Sequence, residues 1–149
     1  MTMSMARPTT YDGDRTSRRR LRFGVVTADG LWTEAPGDLV RIRAVDLRDL
    51  AHKTAAIRED APHVDVVVDI DVMIAADARS ARAAMASAGC QGSGTLLYVG
   101  TPAGLSGLIA DIHAVGIADG AVLVPFDSNG VADLIRDAVL PELRMLASA

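Results

Sequence analysis

The segment 96–126 constrains the fold most, because its pattern is that of a strand, a capped helix and a second strand. Thr101 is placed to cap the helix with its hydroxyl, and Pro102 suits the first helical position, where no backbone donor is lost. Apolar residues then recur at helical spacing: Leu105, Leu108, Ile109, Ile112 and Val115. Gly116 is placed to end the helix in the left-handed conformation. The segment therefore predicts one βαβ unit with a right-handed crossover in a parallel sheet.

The stretch from Val64 to Ala75 predicts a strand whose two faces differ. Every even-numbered position from 64 to 74 holds Val or Ile, whereas the odd positions include Asp65, Asp69 and Asp71. A parallel strand covered on both faces is almost continuously apolar. We therefore expect one dry face and one face that meets water or partners. Salt bridges are the expected role of the aspartates, with Arg22 and Arg43 as possible partners.

Four βα units follow from the whole pattern, with strands near 22–27, 64–74, 95–99 and 121–126. A loop containing Trp32 is expected between the first strand and its helix. The sequence thus predicts one α/β domain over residues 21–149. Its expected fold is a half (β/α)8 barrel, in which four parallel strands carry helices on their outer face. An open flavodoxin-like sheet, with helices on both faces, is the alternative.

Composition and charge exclude several other classes of protein. No run of about 20 apolar residues exists, so no membrane-spanning helix is predicted. The single cysteine, Cys90, rules out an internal disulfide and indicates a reducing, cytoplasmic environment. Residues 1–22 hold six arginines, but they have few aromatic neighbours and precede an acidic body. Residues 1–20 are therefore predicted to be a disordered arginine-rich tail and not a nucleic-acid site.

The glycine-rich stretch 89–94 predicts a flexible linker within the domain. It lacks the Gly-Lys-Ser/Thr ending of a phosphate-binding loop.

Candidate binding residues lie where predicted strands end. Gly100 and Thr101 follow a barrel-like strand at its carboxyl end, where such folds place active sites and phosphates, although capping alone also explains Thr101. Asp29 and Ser128 occupy the corresponding ends of two other strands. We predict these four residues as cofactor-binding candidates. No metal site is predicted, because no histidine stands near the aspartates at ligand spacing, and no catalytic residue is identified.

The order of strands and helices in this sequence resembles the order found in a known protein family. A strand ending in Gly100-Thr101-Pro102, an amphipathic helix, the Asp119-Gly120 turn, an apolar strand and a helix containing Leu140-Pro141-Glu142-Leu143 resemble the C-terminal end of the bacterial-luciferase-like flavin-dependent monooxygenases. The nitrilotriacetate monooxygenase type is the most similar branch. The resemblance covers Leu96 to Leu146 and is fainter over Phe23 to Ala86. It implies a (β/α)8 barrel, of which the four βα units resemble the last four.

The resemblance also implies a function. The family oxidises small organic substrates with oxygen and reduced flavin mononucleotide (FMN), so we expect a truncated family member whose substrate is unknown. Because half a barrel leaves two sheet edges open, activity is expected only in a homodimer or with a second chain that supplies the missing half barrel. The alternative is a non-catalytic remnant that binds a partner or a small ligand.

Overall fold

The computed structural model describes residues 19–88, 94–126 and 130–148. Within them the strands are β1 (Arg22–Thr27), β2 (Gly30–Thr33), β3 (Leu39–Ile42), β4 (Asp65–Ile74), β5 (Leu97–Gly100) and β6 (Gly120–Pro125). The α-helices are α1 (Leu47–Asp60), α2 (Ala78–Ala88), α3 (Pro102–Ala114), α4 (Val131–Leu134) and α5 (Leu140–Ser148), and a π-helical segment (Ile135–Val139) joins the last two. Residues 1–18 of the predicted tail and 89–93 of the predicted linker lie outside the described residues. No helix within the described ranges is long and apolar enough to cross a bilayer.

The strands form one curled sheet in the order β2-β1-β6-β4, and both β3 and β5 pair with the far edge of β4. β3 runs beside the first part of β4, from Asp65 to Val68, and β5 runs beside its last part, from Asp71 to Ile74. This curled sheet with its helices is the predicted half (β/α)8 barrel.

One part of the fold prediction was wrong: the strands are mixed and not all parallel. β2 pairs antiparallel with β1, with Val25 opposite Trp32, where a loop was expected. The Asp29-Gly30 turn explains the hairpin, because Gly30 adopts a φ of +118° that residues with a side chain rarely adopt. β3 is a second unpredicted strand, and its pairing with β4 is parallel.

The order of the strands also differs from that of consecutive barrel strands, which would pair in chain order. Here β1 pairs with β6, the last strand, and β6 pairs with β4. β1 and β6 run parallel to each other. The carboxyl ends of β1 and β6 therefore lie side by side.

The hydrophobic core lies between one face of the sheet and the helices. Phe23, Ala121 and Val68 are lateral neighbours on this face and are almost fully buried. The helical residues packed in the same core are Leu50, Leu105, Ile109, Ile112, Ile135 and Leu143. The dry face predicted for β4 is confirmed.

The other face of β4 carries the aspartates, of which Asp65 and Asp69 form salt bridges as predicted, whereas Asp71 accepts a hydrogen bond from the Thr95 hydroxyl at 3.3 Å. Asp69 accepts hydrogen bonds from Arg41 Nε at 3.0 Å and Arg41 Nη2 at 2.9 Å. Arg43 Nε lies 3.7 Å from the same carboxylate, and Arg22 forms a salt bridge with Asp65. The expected partners Arg22 and Arg43 are thus confirmed.

Residues next to the helix ends define where the helices begin and end. Asp46 Oδ1 accepts a hydrogen bond from the Asp49 N–H at 2.8 Å, which caps α1. Asp77 Oδ1 accepts one from the Ser80 N–H at 2.8 Å, before α2. Beyond α3, Gly116 adopts a φ of +80°, as predicted. These boundaries were predictable because each depends on residues close together in sequence.

Asp119 joins three elements at the amino end of the sheet. Its side chain is 2% exposed and accepts hydrogen bonds from Arg58 Nη2 at 2.9 Å and from the Val66 N–H at 2.8 Å. Arg19 adds a further cation 3.6 Å away. The carboxylate therefore ties helix α1 to the first residues of β4 and β6.

We expect Asp119→Ala to destabilise the fold by about 3 kcal/mol, because it leaves a buried N–H and a partly buried guanidinium without their acceptor. Urea unfolding followed by circular dichroism measures this change. Asp111→Ala, at an exposed position of α3, is the control and should alter the free energy of unfolding by less than about 0.5 kcal/mol. Equal effects of the two substitutions would contradict the assigned role of Asp119.

Candidate functional site

A cavity of about 700 Å³ lies at the carboxyl ends of β1 and β6. The two strands, the β1–β2 hairpin and the C-terminal helices form its walls, with these lining residues: Val25, Val26, Thr27, Ala28, Trp32, Val124, Pro125, Phe126, Ala132, Ile135, Arg136, Leu140 and Arg144. The carboxyl ends of parallel strands are where barrel and open α/β folds bind ligands. Ligand pockets commonly measure about 300–1,000 Å³, so this cavity is large enough for a small organic molecule.

The hairpin and the last helix are held together across the cavity by Trp32 and Arg144. The Arg144 guanidinium lies 5.8 Å from the centroid of the Trp32 ring, within the range of a cation–π contact. Arg144 Nε also donates to Glu34 Oε1 at 3.1 Å. Trp32 also contacts a core residue, because the Phe23 and Trp32 ring centroids are 6.5 Å apart. The indole is thus fixed at the cavity wall by contacts with a cation and a core ring.

The π-helical segment Ile135–Val139 forms another part of the wall. Pro141 lies one turn further on and has no N–H to donate, and its ring crowds the carbonyl four residues earlier. A wider turn before it relieves that crowding. Ile135 is buried and Arg136 is exposed, yet both line the cavity. Such π turns occur frequently at functional sites.

Arg136 at the mouth of the cavity is paired with two carboxylates. Its guanidinium lies 3.1 Å from Asp133 Oδ1 and 2.9 Å from Asp137 Oδ1. The hydrogen bond from Arg136 lowers the pKa of Asp137, and the same bond is the main reason that the pKa of Arg136 is raised. Arg136 therefore keeps its charge throughout the range in which proteins are folded.

The chemistry that the described lining offers is binding and not proton transfer. Among the described residues that line the cavity, none is a histidine, cysteine, lysine or carboxylic acid. A ligand would meet apolar walls, the Trp32 and Phe126 rings, Thr27 and two guanidiniums. These groups can bind and orient a hydrophobic or aromatic molecule, but guanidiniums do not act as bases at neutral pH.

A second cavity, of about 520 Å³, lies at the opposite end of the sheet. It contains the Arg22–Asp65 salt bridge, and Arg22 also donates to the carbonyl of Ala35 at 3.1 Å. Residues at the amino end of barrel strands generally serve stability, and these contacts fit that role. No group of His, Cys, Asp or Glu in the described ranges is arranged to hold a metal ion.

The predicted site residues Gly100 and Thr101 lie at the end of β5, away from the lining of either cavity. Thr101 Oγ1 accepts a hydrogen bond from the Gly104 N–H at 3.1 Å, so its hydroxyl caps α3. The Tyr98 hydroxyl lies 2.5 Å from where a Cβ on Gly100 would be. A tyrosine thus fills the space beside these two residues, whose cofactor-binding role stays a prediction.

The other two predicted residues are Asp29 and Ser128. Asp29 is exposed in the β1–β2 turn, where its N–H donates to Thr27 Oγ1 at 3.2 Å. It follows Ala28, a lining residue of the larger cavity, without lining the cavity itself. Ser128 lies outside the described residues. The cofactor-binding roles of Asp29 and Ser128 also stay predictions.

Sequence analysis missed Trp32, Arg136 and Arg144. The Asp29-Gly30 pair is a hairpin signal that would have placed the only tryptophan of the chain back against β1. Pro141 within an apolar helix signals an irregular turn before it. The two arginines carry no local signal of their own, because their position depends on packing between distant segments.

Comparison with solved structures supports the same architecture. The long-chain alkane monooxygenase LadA matches 72% of this chain with a TM-score of 0.56 at 20% identity. A riboflavin lyase, RcaE, crystallised with modified FMN and its substrate riboflavin, matches 76% with a TM-score of 0.58 at 18% identity. No protein-family model matches the sequence, and neither does any curated protein.

These likenesses show a shared fold. The matched regions amount to 36% of the LadA chain and 40% of the RcaE chain, so this chain spans well under half the length of either structure.

The ion pair at the cavity mouth makes a testable electrostatic prediction. Asp137 should titrate below the usual range of an aspartate, and Arg136→Gln should raise its pKa back towards the ordinary value, because the hydrogen bond that favours the charged form is removed. Two-dimensional NMR of the carboxyl carbons at low salt measures both values. Arg144→Gln is the matched control and should leave Asp137 unchanged. An Asp137 pKa unaffected by Arg136→Gln would show that the pair does not form in solution.

Proposed function

We propose that this chain belongs to the luciferase-like flavin monooxygenases and contributes to FMN-dependent oxidation of a small organic substrate as part of a larger assembly. The observation that carries the proposal is the apolar cavity at the carboxyl ends of β1 and β6. Its position matches the active-site end of the barrel fold. The nitrilotriacetate-type branch and a cytoplasmic location remain part of the proposal and rest on the sequence alone.

The cavity residues fit a flavin ring. An isoalloxazine is a flat aromatic system, and the lining provides the Trp32 ring with apolar side chains from β1, β6 and the π-helical segment. When bound, reduced FMN supplies the electrons for oxygen-dependent oxidation. In this chain Trp32 would contact the ring, and Ile135 and Leu140 would exclude water from one side of it. Arg144 would hold the indole in place through its cation–π contact.

A partner is proposed because the cavity is open and because, among the described residues, no strand pairs with the outer edge of β2, called here the free edge. Flavin chemistry needs a site that excludes water, and the matched chains are more than twice as long as the region shared with this one. Strand β2, Gly-Leu-Trp-Thr, is the outer strand beside β1 and carries no charged residue. Its Leu31 is 43% exposed and its Trp32 is 37% exposed. Unprotected edges of this kind pair with another strand, from a second copy or from a second chain.

A non-catalytic binding module is the second candidate. It is favoured by the described lining, which offers no acid or base for proton transfer. Such a module would bind a flavin or another aromatic molecule without turning it over. Detection of flavin binding without oxygen consumption, in the presence of a reductant and with any partner present, would support this candidate.

The cavity is tested by filling it. Ala132→Trp places a large side chain at a lining residue, and we expect it to weaken flavin binding at least about tenfold, since displaced apolar contacts cost more than about 1.4 kcal/mol. Ala138→Trp, on the same stretch of helix but not in the lining, is the matched control and should bind as the wild type does. Quenching of flavin fluorescence on titration with oxidised FMN gives the affinities.

The titration separates three outcomes. Loss of binding in Ala132→Trp alone supports a flavin site in this cavity. Equal affinity of both variants and the wild type would place the flavin elsewhere on the chain. Absence of binding by the wild type, alone and mixed with any chain encoded beside it, would overturn the flavin function.

The free edge is tested by charging it. Leu31→Lys places a protecting charge on β2, and we expect it to shift self-association towards the monomer by at least about tenfold in concentration. Sedimentation velocity over a range of concentrations measures the shift. Val115→Lys is the control, because Val115 is 68% exposed at the end of α3, away from β2. A wild-type chain that is monomeric throughout would exclude the homodimer and leave a second chain as the proposed partner.

A further inference from the structure

Around the larger cavity, negatively charged side chains outnumber positively charged ones, and this affects which ligands the cavity can bind. Two guanidiniums line it, those of Arg136 and Arg144. Arg144 is paired with Glu34 at 3.1 Å, and Arg136 is paired with both Asp133 at 3.1 Å and Asp137 at 2.9 Å. Three carboxylates therefore face two cations, and the described part of the mouth carries a net charge of about −1 at neutral pH.

Both described cations of the lining are already paired with carboxylates. The Arg136 guanidinium uses its Nε, Nη1 and Nη2 groups on carboxylates. Arg144 uses its Nε on Glu34 and its planar face on Trp32. A phosphate at Arg136 would have to displace its carboxylates, and a phosphate at the Nη groups of Arg144 would lie close to Glu34. Asp29, beside the lining residue Ala28, adds one more exposed acid nearby.

We infer that this cavity takes an uncharged aromatic heterocycle and discriminates against a phosphate ester of the same molecule. The inference rests on the proposed flavin function and refines it: the ring enters the cavity, and favourable binding of the FMN phosphate needs additional cations, such as those of a partner, to offset the net negative charge. Riboflavin and FMN are the matched probes, because they differ only by the phosphate group. The chain by itself should therefore bind riboflavin more tightly than FMN.

The size of the preference follows from the charges. A phosphate with about two negative charges, several ångströms from a net charge of −1, should bind roughly three- to tenfold more weakly than the neutral ligand in dilute buffer. Because these groups are exposed, the ratio should shrink towards one when salt reduces the Debye length to about 3 Å at 1 M. Binding of riboflavin should depend little on salt.

The experiment titrates the full chain with riboflavin and with oxidised FMN at low and at high salt, following the flavin fluorescence. The double substitution Asp133→Asn, Asp137→Asn removes both partners of Arg136 and should reverse the preference, so that FMN binds more tightly than riboflavin. The matched control is Glu59→Gln, Asp111→Asn, which removes the same total charge from exposed positions outside the lining. It should leave the ratio unchanged. Circular dichroism confirms that each variant is folded.

Three results would decide against one or both proposals. Tighter binding of FMN than of riboflavin by the wild type would overturn the charge inference and leave the flavin function standing. An equal change of the ratio in both double variants would also overturn it, because the effect would then come from total charge. If neither flavin binds, lumichrome, the same ring system without the ribityl chain, separates the cases. Lumichrome binding would keep an uncharged-heterocycle site and reject the flavin function, whereas its absence would reject both.

Discussion

The parallel pairing of β1 with β6 is the interaction on which the rest of the structure depends. It joins segments nearly one hundred residues apart, with Phe23 beside Ala121 and Val25 beside Leu123. Gly120 permits it, because a Cβ there would overlap the backbone of Arg22. The pairing places Phe23 in the core and brings the carboxyl ends of both strands together. The cavity lies at those two ends, so the fold and the candidate site share one origin.

Local features of this fold were predictable from the sequence, and non-local ones were not. The apolar even-numbered face of β4 and the cap of α3 by Thr101 depend on neighbours in sequence, and both are confirmed. Burial along β4 does not alternate, because Val67, Asp69 and Met73 on its other face are also almost fully buried. The order of the strands depends on pairing between distant segments, which no local pattern in the sequence predicts. Strand β3 has only four residues, too few for an alternating pattern to be distinguished from a loop.

The residues of the candidate site also show that local features can be predicted from the sequence and non-local ones cannot. Gly100 and Thr101 were chosen for a local signal, a strand end followed by a helix start, and the structure uses Thr101 for capping. The cavity lining comes from three separated segments: the β1–β2 hairpin, the end of β6 and the last helices. Each segment alone is an ordinary apolar pattern. Their function as one site arises only when Trp32, Arg136 and Arg144 are brought to the same place.

The two ends of the sheet differ in how tightly their charges are held. At the amino end Asp119 is buried and binds Arg58 and a backbone N–H, so its loss leaves groups unsatisfied inside the protein. At the carboxyl end Arg136 and its aspartates are exposed, and exposed ion pairs contribute little to stability. Charges at the cavity mouth can therefore change with little effect on folding. It follows that substitutions at the carboxyl end of the sheet can change ligand preference, while the contacts of Asp119 at the amino end maintain the fold.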